Sequence, residues 1–239
     1  MNSNLTTDEL KERAIRFYSR YGEEIESIKD LLEIKLKQLA LAYTIENKLP
    51  TEAITIKART KSLKSFLKKL ERKGWPQFYY PTEIATDLIG ARVICWFLDD
   101  CIGIKECIEQ SNLLKMIPAD TENYILNPKE SGYRSIHLLI NVPYDSVKRE
   151  REKVVLKVNS ITCEVQIRTK LQDAWGDITH EFHYKAKNYG VNSEGYETLL
   201  ADISDRLFLE DKTLIKFRNV YQQLADEKLK TGKREGFQD

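Results

Sequence analysis

No stretch of the 239 residues approaches the roughly 20 consecutive apolar positions that a membrane-spanning helix needs. No GxxxxGK[ST] sequence occurs either, so any nucleotide site is not a P-loop. Cysteine is sparse: Cys95, Cys101, Cys107 and Cys163 include no CxxC pair, and zinc-ligand spacing is absent. Cys95 and Cys163 lie in apolar, strand-like runs and read as small core residues. The N-terminal residues carry neither a basic nor an apolar segment, so no signal peptide is read, no disulfide framework is expected, and the chain is expected in the cytoplasm. Neither charge is in surplus. Thirty-eight Lys and Arg face 37 Asp and Glu, which excludes a simple polycation that coats nucleic acid but hides local asymmetry.

What is present suffices for one substantial core. Apolar residues make up 41%, with twelve Tyr and three Trp, so the composition is not that of a disordered chain. Residues 6 to 49 read as helix, capped by Thr6 or Thr7, with Ile25, Ile28, Leu32, Leu36, Leu39 and Tyr43 at helical spacing. A short strand follows over 53–58. Ser62 to Lys73 reads as an amphipathic helix on Leu63, Phe66, Leu67 and Leu70, stopped by Gly74-Trp75-Pro76. Residues 91–97 read as an apolar strand, 104–114 as helix and 118–133 as loop. Ser135 to Val142 alternates like a half-buried strand. Val154–Val158 and Ile161–Ile167 read as a hairpin turning at Asn159-Ser160. Helices are expected over 170–187 and 196–230, with a loop at 188–195. The pattern is α+β, with a mainly antiparallel sheet and helical ends.

Several segments could carry chemistry. Glu164, Gln166 and Arg168 share one face of a strand whose other face is Val165 and Ile167; they are either solvent-facing or functional. In the next helix Leu171, Trp175, Ile178 and Phe182 form an apolar stripe, opposite Asp173, Asp177, His180 and Tyr184. Asp87 precedes a strand, and Gly90 permits close backbone approach. With Glu164 on a neighbouring strand, Asp87 would make a hard-oxygen site suited to Mg²⁺. Residues 57–73 carry eight bases against one acid, Glu71. Lys64, Lys68 and Arg72 share a face opposite the leucines, either a solvated surface or part of a polyphosphate cradle beside Arg59 and Lys61. Tyr133, after a glycine and in phase with Ser135 and His137, offers a ring for a base or covers the sheet edge.

In this order the segments resemble the synthetase domain of the RelA/SpoT family of (p)ppGpp synthetases. The resemblance runs from about residue 55 to 187. It rests on Arg59-x-Lys61-x-x-x-Ser65, on Asp87-x-x-Gly90-x-Arg92, on Asn127-Pro-Lys-x-x-Gly132-Tyr133-Arg134-Ser135-x-His137, and on Glu164-x-Gln166-Ile-Arg168-Thr169. Trp175 and His180 also stand where the family has a Trp and a His. One departure is Thr179 before His180, where the family commonly has Glu; here Glu181 follows instead. Only three His occur and no His-Asp pair, so the resemblance is to a small stand-alone synthetase without the hydrolase domain.

The resemblance implies a mixed, mainly antiparallel sheet of nucleotidyltransferase-like type over residues 51–190. Helical extensions, 1–50 and 191–239, flank it. It implies a pyrophosphokinase that moves the β,γ-diphosphate of ATP to the 3′-hydroxyl of GDP or GTP. Asp87 and Glu164 would hold Mg²⁺, with Glu164 also helping to deprotonate the attacking hydroxyl. Arg59, Lys61, Ser65 and Arg92 would bind ATP. Tyr133 would stack on the acceptor base, with Lys129, Arg134, His137, Gln166, Arg168 and His180 around the acceptor. An alternative comes from a toxin branch of the family, which modifies the 3′-terminal adenosine of tRNA or makes adenosine alarmones. Lys64, Lys68, Lys69, Arg72 and Lys73 would then contact the tRNA backbone. A third reading, a catalytically dead RNA-binding module, is opposed by the retention of Arg59, Asp87, Tyr133 and Glu164. The terminal helices are candidates for self-association or for binding an antitoxin. The segment 194–211, six acids against one base, is a candidate contact surface.

Overall fold

A computed structural model describes residues 4–150, 153–189 and 194–235. Helix α1 (Thr7–Glu46) begins at Thr6, whose hydroxyl accepts from the Glu9 amide while the Glu9 carboxylate accepts from the Thr6 amide. Two donors that the helix start leaves unpaired are thereby satisfied. Strand β1 (Ile54–Thr60) leads into α2 (Leu63–Arg72), capped by Ser62. At its end, Gly74 takes φ +72, and the Gly74 and Trp75 amides donate back to the Glu71 and Leu70 carbonyls. This closure uses a left-handed residue that glycine adopts at little cost.

The remaining elements are β2 (Ile89–Cys95), α3 (Leu98–Gln110), β3 (Lys115–Asn123), β4 (Ile136–Glu150), β5 (Lys153–Thr169), α4 (Lys170–Tyr189) and α5 (Glu194–Glu235). The strands form one sheet in the order β1-β2-β5-β4-β3. Only the β2–β5 pairing is parallel; the other three are antiparallel. The mixed, mainly antiparallel sheet between helices is the architecture expected from the sequence. Among the described residues no helix is long and apolar enough to cross a membrane.

One face of the sheet is dry. Ile54, Ala91, Val93, Cys95, Leu138, Ile140, Val142, Cys163, Val165 and Ile167 pack there against Ile25, Ile28, Leu32 and Leu36 of α1 and Cys101, Ile104 and Ile108 of α3. Cys163 is buried as expected, and burial pushes its thiol up to about 12, so it stays protonated. A second cluster joins Leu10 and Ala14 of α1 to Phe66 and Leu70 of α2, with Phe78, Ala85 and Leu88. It supports the segment that carries Asp87.

Four local expectations need correction. Asn159-Ser160 is not a turn: β5 runs straight through it, with Asn159 opposite Tyr144 and Ser160 opposite Pro143. Asn159 spends its side-chain amide on Ser146 across the ladder, at 2.6 Å. Part of the expected loop 118–133 is strand β3, whose register shifts between Ile117 and Glu122; Pro118 falls in that irregularity, where its missing N–H breaks no ladder bond. Helix α3 starts at Leu98, six residues early, with Asp99 and Asp100 in the first turn where the helix dipole favours acids. On α4 the apolar stripe is only half used. Trp175 is buried, but Ile178 and Phe182 are 57% and 58% exposed, because the helix turns Gln172, Trp175 and Thr179 inward instead. Residues 190–193, within the expected loop, and the Tyr184 side chain lie outside the described residues.

Burial shifts the titration of one carboxyl on helix α5 toward neutral pH. Asp211 is 1% exposed, accepts from the Thr169 hydroxyl at 2.8 Å, and burial pushes its pKa up to about 6 against that bond. A raised folded-state value favours the protonated form. The stabilising contribution is therefore complete below the unfolded value of about 3.9 and is lost as pH rises through about 6. Asp211→Asn should raise the melting temperature at pH 7.5, and the gain should shrink as pH falls toward 5. Thermal melts of both proteins across that range check this; a gain independent of pH would assign the titration elsewhere.

Candidate active site

The second face of the sheet is polar, and the register states what meets there. Arg59 lies opposite Gly90 and Lys57 opposite Arg92. Gly90 lies opposite Glu164, and Arg92 opposite Gln166. Gln166 in turn lies opposite His137, and His137 opposite Glu122. Directly opposed residues share a face, so Lys57, Arg59, Arg92, Glu164, Gln166, His137 and Glu122 form a continuous band. A Cβ at Gly90 would meet nothing closer than the Glu164 carbonyl at 3.8 Å, an ordinary contact. The backbone does not require glycine there. Its effect is to leave the band open between Arg59 and Glu164.

Asp87 enters this band from just before β2. The Lys61 amide donates to the Leu88 carbonyl, tying the end of β1 to the start of β2. That tie brings the Lys61 ammonium to 2.7 Å from Asp87 Oδ2, and Lys69 on α2 reaches Oδ1 at 2.8 Å. Burial alone would push the Asp87 carboxyl up, and the two ammonium groups outweigh it, leaving the pKa below the usual range. Glu164 has the same balance. Burial raises it, but the His137 ring 2.9 Å away and the Gln166 amide hold it low, while the Asp87 charge pushes the other way. The two carboxylates are thus ionised and within electrostatic reach of each other.

That pair suits a hard divalent cation. Among the described residues no three His, Cys, Asp or Glu side chains cluster as ligands. A metal here would rest on two protein carboxylates and fill its shell with water and phosphate oxygens, as Mg²⁺ does.

Beyond Glu164 the band becomes aromatic. The Tyr133 hydroxyl lies 2.8 Å from His137 Nε2, so Tyr133, His137 and Glu164 form a hydrogen-bonded chain. Tyr124 stands edge-on to both rings, with centroids 6.2 Å from Tyr133 and 5.3 Å from His137. The Lys129 ammonium lies over the Tyr124 and Tyr133 rings at 4.3 and 5.6 Å. Arg168, 2% exposed, donates to Gln166 Oε1 at 2.8 Å and lies 5.8 Å from the Tyr133 centroid. At the other edge of the band Arg92 bonds Asp177 at 2.7 Å and Asp173 at 3.4 Å. These acids from α4 fix the guanidinium on the band.

Not every expected residue joins the site. Arg134 turns the other way: its guanidinium bonds the Ile125 carbonyl and Asp205, and stacks over Phe208 at 4.3 Å. His180 is exposed on α4. Ser65 sits exposed at the start of α2, where its amide and hydroxyl both meet Ser62 Oγ. Lys69 leaves the outer basic stripe and belongs with Asp87, whereas Lys64 and Lys68 line a groove with Lys11 and Trp75 on the far side of α2. Arg72 is exposed, and Lys73 reaches the Ile84 carbonyl at 3.4 Å. Sequence reasoning also missed Tyr124, hidden in the segment read as loop, and the roles of Asp173 and Asp177, visible only as part of a polar stripe.

The geometry separates the lysines of α2. Lys69→Ala should weaken binding of a polyphosphate such as inorganic triphosphate by about 10- to 150-fold, as expected for loss of one charge-assisted contact of roughly 1.5–3 kcal/mol. Lys64→Ala should change it less than about twofold. Calorimetric titration of each variant checks this, and equal losses would mean that the helix acts as a diffuse basic face.

The model of a region found in RelA and SpoT proteins matches residues 58–189. The GTP pyrophosphokinases YjbM and YwaC of Bacillus subtilis are 33% and 32% identical over 171 and 168 residues. These alignments cover 71% and 66% of this chain, and 72% and 71% of the relatives. The crystal structure of small alarmone synthetase 1 from Bacillus subtilis, bound to its product pppGpp, superposes with a TM-score of 0.68 at 26% identity. It covers 87% of this chain and 97% of that one. With more than half its length matched by the family model, the chain belongs to the RelA/SpoT family.

Proposed function

We propose that this chain transfers the β,γ-diphosphate of ATP to the 3′-hydroxyl of GDP or GTP, giving ppGpp or pppGpp and AMP. The observation that carries the proposal is the position of the ionised Glu164, between a cationic half (Arg59, Lys61, Lys69, Arg92) and an aromatic half (Tyr124, Tyr133, His137). The first half suits a polyphosphate and the second a base. The relatives named above carry guanosine-nucleotide names. Among the described residues no feature favours a tRNA acceptor over them, and the outer stripe proposed for tRNA has lost Lys69 to the site.

In this scheme Arg59, Lys61, Lys69 and Arg92 hold the ATP phosphates, and Tyr133 presents its ring to the guanine. Asp87 and Glu164 would hold Mg²⁺, which when bound neutralises phosphate charge and polarises the transferred group. Lys61 and Lys69 shield Asp87 in the protein alone, and phosphate oxygens are suitable new acceptors for their ammonium groups. Glu164 takes the proton of the 3′-hydroxyl; its depressed pKa keeps it ionised and able to do so at neutral pH. The 3′-oxygen bonds to the β-phosphorus as that phosphorus releases the oxygen bridging to the α-phosphate. AMP departs with that oxygen. His137, bonded to both Glu164 and Tyr133, keeps the base and the stacking ring in one frame.

The deciding experiment incubates the protein with γ-labelled ATP, Mg²⁺ and one of GDP, GTP, ATP or tRNA. Label should enter GDP or GTP. Label confined to tRNA or ATP would reject the guanosine acceptor. Asp87→Asn and Glu164→Gln should each cut transfer by at least about 100-fold, as expected when a group stabilising transition-state charge is lost, with little change in melting temperature. Tyr133→Ala should raise the KM for the acceptor more than that for ATP, because stacking contributes about 1–3 kcal/mol per base. Tyr133→Phe should retain most of that affinity.

A further inference from the structure

Helix α5 turns an unusual seam toward the domain. Ala201, Ser204, Phe208, Asp211, Ile215 and Arg218 recur at alternating steps of three and four, the spacing of one helix face. Such a seam is ordinarily apolar. Here each polar member has a specific partner. Ser204, fully buried, donates to the Gly132 carbonyl at 2.5 Å. Asp205, beside it, bonds Arg134 at 2.6 Å, and Phe208 lies under the same guanidinium at 4.3 Å. Asp211 accepts from Thr169, the residue after Arg168. Arg218 reaches Asp100 at 3.2 Å. Meanwhile Leu209, Phe217, Val220, Tyr221 and Leu224 of α5 are exposed. Apolar burial alone does not account for which residues face inward.

Two of these contacts land on either side of Tyr133. Gly132 takes φ +82, and a Cβ there would stand 2.7 Å from the Ala201 Cα, so α5 lies directly against this backbone. The loop closes on itself through the Gly132 amide to the Lys129 carbonyl at 2.8 Å and the Lys129 amide to the Tyr133 carbonyl at 3.2 Å. Its outer anchors are the Ser204 bond to residue 132 and the Asp205 bond to residue 134. With both neighbours held from one helix, the Tyr133 backbone has little latitude except through α5.

We propose that α5 is a positioning element of the acceptor site, in which Ser204 and Asp205 set the Tyr133 ring by clamping Gly132 and Arg134. Arg134 is therefore a structural link between α5 and the acceptor loop and not itself an acceptor ligand. Asp205 is the residue to test. Its side chain is 63% exposed while that of Arg134 is 7% exposed, so its removal costs little packing. The inference rests on the guanosine-acceptor reading of Tyr133, and the test separates the two.

In Asp205→Ala, hydrogen exchange of the backbone at 127–135 should quicken, while that of the β-strands stays as in the wild type. The KM for GDP or GTP should rise roughly five- to tenfold, a part of what full loss of base stacking costs. The KM for ATP should stay within about twofold. Asp205→Asn, which keeps an acceptor oxygen for Arg134, should restore most of the acceptor KM. In a Tyr133→Ala background the further effect of Asp205→Ala on acceptor KM should vanish, since a residue acting through the ring has nothing left to position. Unchanged exchange at 127–135 overturns the clamp whatever the activity. Quickened exchange with an unchanged acceptor KM, an equal rise for ATP, or an additive double variant overturns the positioning role. A wild-type protein that labels no guanosine nucleotide instead rejects the function proposed for the site and with it the acceptor role of α5, leaving exchange to judge the clamp as a purely structural contact.

Discussion

Parallel pairing between β2 and β5 sets Gly90 opposite Glu164 and Arg92 opposite Gln166, and the site depends on that register. A one-residue slip would turn Glu164, Gln166 and Arg168 into the core and bring Val165 and Ile167 to the polar face. The dry face prevents the slip. Val93, Cys95, Val165 and Ile167 are all buried in the same cluster with α1 and α3. The apolar residues that stabilise the sheet are thus the ones that aim its chemistry. Long helix α1, although it contributes no proposed ligand, fixes the face of the sheet on which ligands can stand.

Charge on the polar face is arranged in opposed pairs that polyphosphate can rearrange. Asp87 is neutralised by Lys61 and Lys69, and Arg92 by Asp173 and Asp177. Half-buried charges without partners would be costly, so the protein alone keeps its cations paired with its own carboxylates. Phosphate oxygens offer the same lysines acceptors of higher charge density, and a hard cation offers the same to Asp87. Ligand binding would then exchange one set of ion pairs for another, with little net desolvation beyond what folding has already cost.

Much of this was legible in the sequence because strands alternate strictly. Glu164, Gln166 and Arg168 declare one face by period alone, and the same parity joins His137 to Tyr133. By the same parity Arg134 is in phase with Ile136 and Leu138, the core side, and its guanidinium lies over Phe208. Its place within a family motif obscured that. Other features depend on where helix axes lie, which local pattern does not specify. Lys68 and Lys69 are adjacent in sequence, yet only Lys69 meets Asp87, because the rotation of α2 is set by Phe66 and Leu70 packing against Phe78 and Leu88. Asn159-Ser160 has turn composition, but cross-strand pairing satisfied both residues within β5. The acid-rich segment 194–211 looked like a surface for a partner. Counting charges concealed the helical spacing that directs Ser204 and Asp211 inward.

The two halves of the site have separate supports. The cationic half stands on β1, α2 and the cluster of Leu10, Phe66, Leu70 and Phe78, held from the N-terminal helix. The aromatic half stands on β4 and the 127–134 loop, held from α5 at the other end of the chain. Glu164 lies where the two meet, on the central strand between β2 and β4. Transfer between two bound nucleotides requires their reacting atoms to be held within a few tenths of an ångström of an in-line path, and misplacement of about 1 Å can cost roughly 100-fold. Helix α4 touches both halves through Asp173, 3.4 Å from Arg92 and 3.5 Å from Arg168, and a second element holds that spacing. The sheet is that element, since its ladder from β1 to β3 fixes the distance between the halves, while each terminal helix limits the motion of one half relative to its own strands. In the proposed reaction a terminal helix would then be part of the catalytic geometry without any of its side chains meeting the reacting atoms, and the chemistry would depend on segments that composition alone would assign to extensions.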